Sequence, residues 1–284
     1  MKFIKAFTSG AGRALRSVKA LLIMWFISFS MLAVFAFPLR SFIIAALGNT
    51  ASTSLLNEGF NISYFMDLGR AFEPMMSAIT GGILIVMLIF FLLYVFMNGG
   101  LFDSLLSNSY AYKPGDFFRS SARFFFSYMI ITLLLMLMIL VVVFIVAAVP
   151  IIIQGAGAGG SEEKTWKLVG ILRIAVILVL PVFLLVADYS RVWLAANDHR
   201  KVFKALAYGF RATFRSFLSS YFFMLIMVIV QGFYAILVAK ILSGYSPLTG
   251  GGLFVLFVIT QILFLFKLYL RALRYGGVTA LYEI

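Results

Sequence analysis

The sequence predicts an all-α membrane protein: six transmembrane helices in three hairpin repeats, each led by an interfacial amphipathic helix. Three observations predict it. Hydrophobic residues make up 63% of the chain and charged residues 12%, with a mean hydropathy of +1.08. A soluble domain is about 45–50% apolar and about 25% charged, so much of this surface must face lipid. The apolar residues gather into six long runs, each near the roughly 20 residues that cross about 30 Å of hydrocarbon. The Lys and Arg residues gather between those runs.

Residues 1–284 read as a single integral membrane domain. The interfacial helix covers 1–19. On a helical wheel Lys2, Lys5, Arg13, Arg16 and Lys19 occupy one sector, and Phe3, Ile4, Phe7, Ala11, Ala14, Leu15 and Val18 face the other way. A basic face against an aliphatic and aromatic one suits a helix lying in the bilayer interface. Gly10 and Gly12 weaken it. Span 1 covers about 20–37. Its apolar run outlasts the roughly 7–15-residue core of a signal peptide, so it reads as a retained span, ended or kinked by Pro38 and Arg40, after which SFIIAALGNTASTSLL can continue as a helix. The longest outer loop follows over 48–77, with Asn61 placed to cap a short helix before Pro74.

Span 2 covers about 78–98 and ends at Asn98-Gly99-Gly100. A Lys-Pro-Gly turn at 113–115 precedes Arg119 and Arg123. Span 3 covers about 124–149 and stops at Pro150. A Gly-rich stretch with Glu162 and Glu163 reads as a solvated loop. Span 4 covers about 168–187, with Pro181 as a kink. Next comes RKVFKALAYGFRATFRSFLSSY, residues 200–221, which leads into span 5 at about 217–239. Span 6 covers about 252–270, before a tail with Arg271, Arg274 and Glu283.

The net charge is +13. In a soluble chain such a balance points to nucleic acid; here the basic residues flank apolar runs, so no nucleic acid is expected. Seventeen of the 23 Lys and Arg fall on one side if both termini share it, and five on the other. The positive-inside rule then puts both termini in the cytoplasm of a multi-pass bacterial cytoplasmic (inner) membrane protein. With no cysteine, disulfides, thiolate chemistry and Cys-ligated metals are excluded.

The segments before the odd spans align without gaps. Lys5 matches Lys204, with Gly10 on Gly209, Arg16 on Arg215 and Ser17 on Ser216. Arg119 matches Arg211, with Phe118 on Phe210, Arg123 on Arg215 and Ser127 on Ser219. Gly99-Gly100 and Gly276-Gly277 echo one another after spans 2 and 6. The unit is therefore interfacial helix, span, outer loop, span, and parallel internal repeats are a known construction in membranes. This layout, with segments such as FKALAYGFRATFRSF and Gly-rich ends to even spans, resembles uncharacterised bacterial six-transmembrane-helix families. It is also similar to the membrane domain attached to some glycerophosphodiester phosphodiesterases. The phosphodiesterase domain has no counterpart here, so the resemblance implies layout and no hydrolase activity.

No catalytic constellation stands out. His199 is the single histidine, beside Asp198 and Arg200, and no Gly-x-Ser-x-Gly or His-Glu-x-x-His motif occurs. No cofactor or metal is expected, and no enzyme activity. The polar residues inside spans are the other pointers, because lipid offers them no partner: Arg173, Gln231, Gln261 and Lys267. Interhelical hydrogen bonds for the glutamines and snorkelling for Lys267 are the plain readings. Asp188 and Arg191 stand three apart on one helix face, as a local ion pair does. The basic segments supply candidate lipid-headgroup contacts: Arg13, Arg16, Arg119, Arg123, Lys204, Arg211 and Arg215. Each is worth about 1 kcal/mol against anionic lipid. The expected function is that of a scaffold or lipid-handling subunit of a membrane complex. Its expected partners are anionic membrane lipids and a protein of that complex. The alternative is a small transporter or channel for a solute or lipid.

Overall fold

The structure, a computed structural model, describes residues 2–47, 72–109, 112–155, 162–197, 201–245, 247 and 249–283. In chain order these form α1 (Lys2–Arg16), α2 (Val18–Leu47), α3 (Phe72–Ser107), α4 (Pro114–Gly155), α5 (Glu162–Asn197), α6 (Val202–Arg215), α7 (Phe217–Ser243) and α8 (Gly250–Glu283). No strand occurs among the described residues. Among the described residues six stretches are long and apolar enough to cross a membrane: Val18–Phe37, Gly82–Ser107, Pro114–Val146, Gly170–Asn197, Phe217–Ser243 and Gly250–Glu283. By length and composition the chain is a multi-pass, all-helical membrane protein.

The helices outrun the spans expected from the sequence. α2 continues through Pro38 to Leu47, α3 through Gly99-Gly100 to Ser107, and α4 through Pro150 to Gly155. A Gly or Pro weakens a helix, but stopping one in an apolar solvent orphans several peptide groups at once, so continuation is the cheaper state. α3 begins at Phe72, inside the expected outer loop, with Pro74 in its first turn, where a missing N–H is tolerated. Glu162 and Glu163, expected in a loop, start α5, where acidic residues complement the helix N-terminus. The helix expected from Asn61 and the placement of His199 lie outside the described residues. α8, at 34 residues, is about 51 Å long at 1.5 Å per residue.

The chain packs as two compact units. One draws on Leu22–Tyr94 and Ala235–Phe266, the other on Met1–Leu21, Val95–Tyr234 and Lys267–Ile284. In the first, Trp25 stacks on Phe29 at 5.7 Å and Phe29 meets Phe257 edge-on at 6.0 Å. Trp25 Nε1 donates to Gln261 Oε1 at 2.9 Å. Leu84 and Phe254 are largely exposed there, as side chains solvated by lipid are.

The second unit holds most of the buried side chains, and its helices cross at small residues. A Cβ on Gly10 of α1 would lie 2.7 Å from the Gly277 nitrogen of α8. One on Gly99 of α3 would lie 2.8 Å from the Ser121 Cα of α4. One on Gly209 of α6 would collide with Ser190 Oγ and the Val186 carbonyl of α5. Such backbone-to-backbone approach maximises dispersion contact where no hydrophobic effect drives helices together. α1 and α2 meet at Ser17, α6 and α7 at Ser216. The i to i−4 bonds bridge both joints: Ser17 N to the Arg13 carbonyl at 3.0 Å, Ser216 N to the Ala212 carbonyl at 3.3 Å. α4 has Phe124 at the aligned position and runs unbroken.

Candidate functional site

The second unit contains a buried ionic centre. Asp188 of α5 has no exposed surface. Its Oδ1 accepts from Arg191 Nη1 at 3.1 Å, and its Oδ2 lies 3.3 Å from Arg274 Nε of α8. Arg191 Nη2 donates to Thr132 Oγ1 of α4 at 3.0 Å, and the Tyr128 hydroxyl donates to the Arg191 carbonyl at 2.9 Å. The Arg274 guanidinium sits over the Tyr275 ring at 4.6 Å, and Phe102 stacks on that ring. Thus α3, α4, α5 and α8 all contribute to one buried cluster. The carboxylate lies between two guanidiniums and is capped by aromatic rings.

A cleft of about 430 Å³ opens elsewhere in the same unit, along α6 and the start of α7. It is built on one stripe of the chain. Tyr208, Arg211, Ala212, Arg215, Ser216 and Ser219 recur at three- and four-residue intervals, the spacing of one helix face. The contact of Gly209 with α5 fixes which face of α6 turns inward, and Val202, Ala205 and Thr213 are buried with it. α5 adds Tyr189, and the end of α8 adds Leu281 and Tyr282.

The walls are braced. Tyr208 stacks on Trp193 at 6.1 Å and meets Tyr282 edge-on at 5.7 Å. Asn197 Nδ2 donates to the Tyr282 hydroxyl at 3.1 Å, which leaves that O–H free to donate. Tyr189 and Ser220 share a hydrogen bond of 2.7 Å, and Ser220 shares another of 3.0 Å with Ser216. Burial, and then the neighbouring Tyr282 and Tyr189, push the Tyr208 hydroxyl above its usual ionisation range; nearby Arg215 pulls the other way. Tyr208 is therefore a neutral donor at physiological pH. Arg211 and Arg215 are exposed and make no hydrogen bond or ion pair among the described residues. No carboxylate lines the cleft among the described residues. Chemically it offers two cations and a set of hydroxyls.

The other expected site residues scatter. Arg13, which the wheel places on the polar face of α1, is buried: Nη1 donates to Glu283 Oε1 at 3.0 Å and to the Leu105 carbonyl at 3.3 Å, and Nη2 pairs with Glu283 Oε2. The face holding Ala6, Gly10 and Ala14 turns toward protein, while Ile4 and Leu15 stay exposed. Arg16 is exposed and donates to Asn108 Oδ1 at 3.0 Å. Arg119 pairs loosely with Asp116 at 3.8 Å. Arg123 and Lys204 are exposed. Gln231 Nε2 reaches the Leu270 carbonyl at 3.4 Å, and Gln261 belongs to the other unit with Trp25; neither lines the cleft. Lys267 is exposed, and the side chain of Arg173 lies outside the described residues.

No protein-family model, curated protein or solved structure matches this chain.

Sequence reasoning singled out Arg211 and Arg215 but not the three tyrosines and two serines around them. The stripe from Tyr208 to Ser219 was available in the spacing. Tyr189 and Tyr282 come from distant segments, and only the packing of α5 and α8 brings them in. Likewise the spacing pairs Asp188 with Arg191, whereas Arg274 carries no such signal.

Proposed function

We propose that the chain is a non-enzymatic polytopic protein of the bacterial cytoplasmic membrane, both termini cytoplasmic, serving as a scaffold or lipid-handling subunit for anionic lipid. One observation carries this reading: exposed cations are interleaved with exposed apolar rings. Lys204, Arg211 and Arg215 stand beside Phe203 at 78% exposure and Phe214 at 62%; Arg119 and Arg123 stand beside Phe118 and Phe126. Water would strip such rings inward, whereas a bilayer interface accepts ring and cation at adjacent depths.

The three-hairpin layout belongs to the same proposal, as does the likeness to six-helix membrane families. Aligned positions share burial: Gly10, Phe117 and Gly209; Ala14, Ser121 and Thr213; Leu21, Tyr128 and Ser220; Met24, Ile131 and Phe223. The helix joints at Ser17 and Ser216 fall on aligned serines.

Native mass spectrometry of protein released from nanodiscs of equal phosphatidylglycerol and phosphatidylethanolamine tests the reading. The retained lipid is expected to be enriched in phosphatidylglycerol by at least fivefold, about the effect of one interfacial cation. Retention in the proportion supplied would remove the basis for it.

A further inference from the structure

We infer that the cleft along α6 is a stoichiometric binding site for the phosphate of an anionic lipid headgroup that carries hydroxyls rather than an ammonium. This rests on the lipid-handling reading and narrows it from a diffuse basic surface to one site. The first argument is comparison within the chain. At the segments aligned with α6, each arginine has a protein group beside it: Arg123, aligned with Arg215, lies over the Phe124 ring at 5.7 Å. Arg16, aligned with Arg215, donates to Asn108. Arg119, aligned with Arg211, meets Asp116, which occupies the position of Tyr208. The space is engaged too: Arg13, at the position of Ala212, extends to Glu283. Phe124, at the position of Ser216, stacks on Tyr128. Around α6 the corresponding residues are small or hydroxylated, a cleft remains, and both arginines stand ready.

The second argument is chemistry. Arg211 and Arg215 are one helical turn apart, so their guanidiniums can hold one phosphate from two sides, the geometry for which arginine suits phosphate. Tyr208 and Tyr282 supply O–H donors from walls already fixed by Trp193 and Asn197, so little side-chain freedom is lost on binding. Hydroxyls both donate and accept, which suits a polyol. An ammonium headgroup would face two cations with no described carboxylate to answer it.

The third argument is depth. Arg215, Ser216 and Ser219 lie where α6 gives way to the apolar α7. Phe214 stacks on Phe217, Phe217 on Tyr221, and Leu218 is 72% exposed. An acyl chain leaving the cleft would run along these side chains, which a free phosphate would not use.

The test is a lipid titration of the full-length protein read by native mass spectrometry, with phosphatidylglycerol, phosphatidylethanolamine and inorganic phosphate as probes. The wild type is expected to hold one phosphatidylglycerol at least tenfold more tightly than the rest. Arg211→Gln with Arg215→Gln should abolish that first step. Tyr208→Phe with Tyr282→Phe, which keeps rings and charge, should weaken it severalfold. Lys5→Gln with Lys113→Gln, two exposed cations away from the cleft, should leave it within twofold. If that lysine pair weakens binding as much as the arginine pair, or the tyrosine variant binds as wild type, the cleft is not the site, although the lipid-handling reading stands. If phosphatidylglycerol shows no preference even in the wild type, that reading fails as well. If inorganic phosphate binds with the same arginine dependence and displaces the lipid, the source is a free phosphate and the headgroup assignment is overturned.

Discussion

Asp188 concentrates the energetics of the molecule in one side chain. It is fully buried, and its two oxygens face Arg191 and Arg274. Removing one partner of a buried ion pair costs about 3–5 kcal/mol, because the remaining charge stays in low dielectric. Asp188→Asn is therefore expected to lower the midpoint of unfolding of the micelle-solubilised protein substantially. Asp116→Asn, whose partner Arg119 is mostly exposed, should change it by about 0–1 kcal/mol. Equal effects would mean that the Asp188 cluster is wetter than its geometry implies. Half of this cluster was legible. Three residues separate Asp188 and Arg191, and a helix brings such residues together. Arg274 stands far along the chain, and no local rule joins it to them. Arg13 taught the converse: the wheel gave its sector but not which sector would meet protein.

At the scale of elements, glycine has two opposite meanings in α1. Gly10 lies against the backbone of α8, whereas a Cβ on Gly12 would meet nothing within 4 Å. Gly12→Ala should stabilise by up to about 1 kcal/mol through helix propensity. Gly10→Ala should destabilise by about 1–3 kcal/mol, as overpacking does. Thermal unfolding of the two variants in the same detergent gives the comparison, and a shift in the same direction for both would contradict the crossing of α1 on α8. This distinction could not be read from the sequence, where both glycines appear only as weak helix formers. Two helix ends differ from the sequence expectation for a related reason. Gly99-Gly100 and Pro150 interrupt helices in water, but a bilayer penalises the interruption more than the residue, whereas continuation past Pro38 agrees with a kink there.

For the whole molecule, the number of crossings was legible because six apolar runs have no other stable solvent, and the structure places a long helix on each. Sidedness rests on the distribution of Lys and Arg. The chain has no cysteine, so single introduced thiols report it directly. Lys5→Cys, Lys113→Cys and Lys201→Cys should be labelled by an impermeant maleimide only after the inner face is opened, and Lys240→Cys from outside in intact cells. Labelling of Lys5→Cys and Lys201→Cys from opposite faces would overturn the proposed topology. The site was less legible than the crossings, since its walls come from α5, α6, α7 and α8 at once.

The pairing of Arg13 with Glu283 bears on the order of synthesis. A ribosome delivers α1 long before α8, so until α8 is made Arg13 lacks Glu283 and Gly10 lacks the Gly277 backbone. Asp188, by contrast, emerges with Arg191 three residues behind it and can be neutralised while α5 is still entering the membrane. Domains commonly fold from the N-terminus during translation; here α1 must wait until α8 has been made. A nascent chain halted before Glu283 leaves a charged arginine and a bare glycine face on α1, the kind of surface that chaperones and membrane proteases act on.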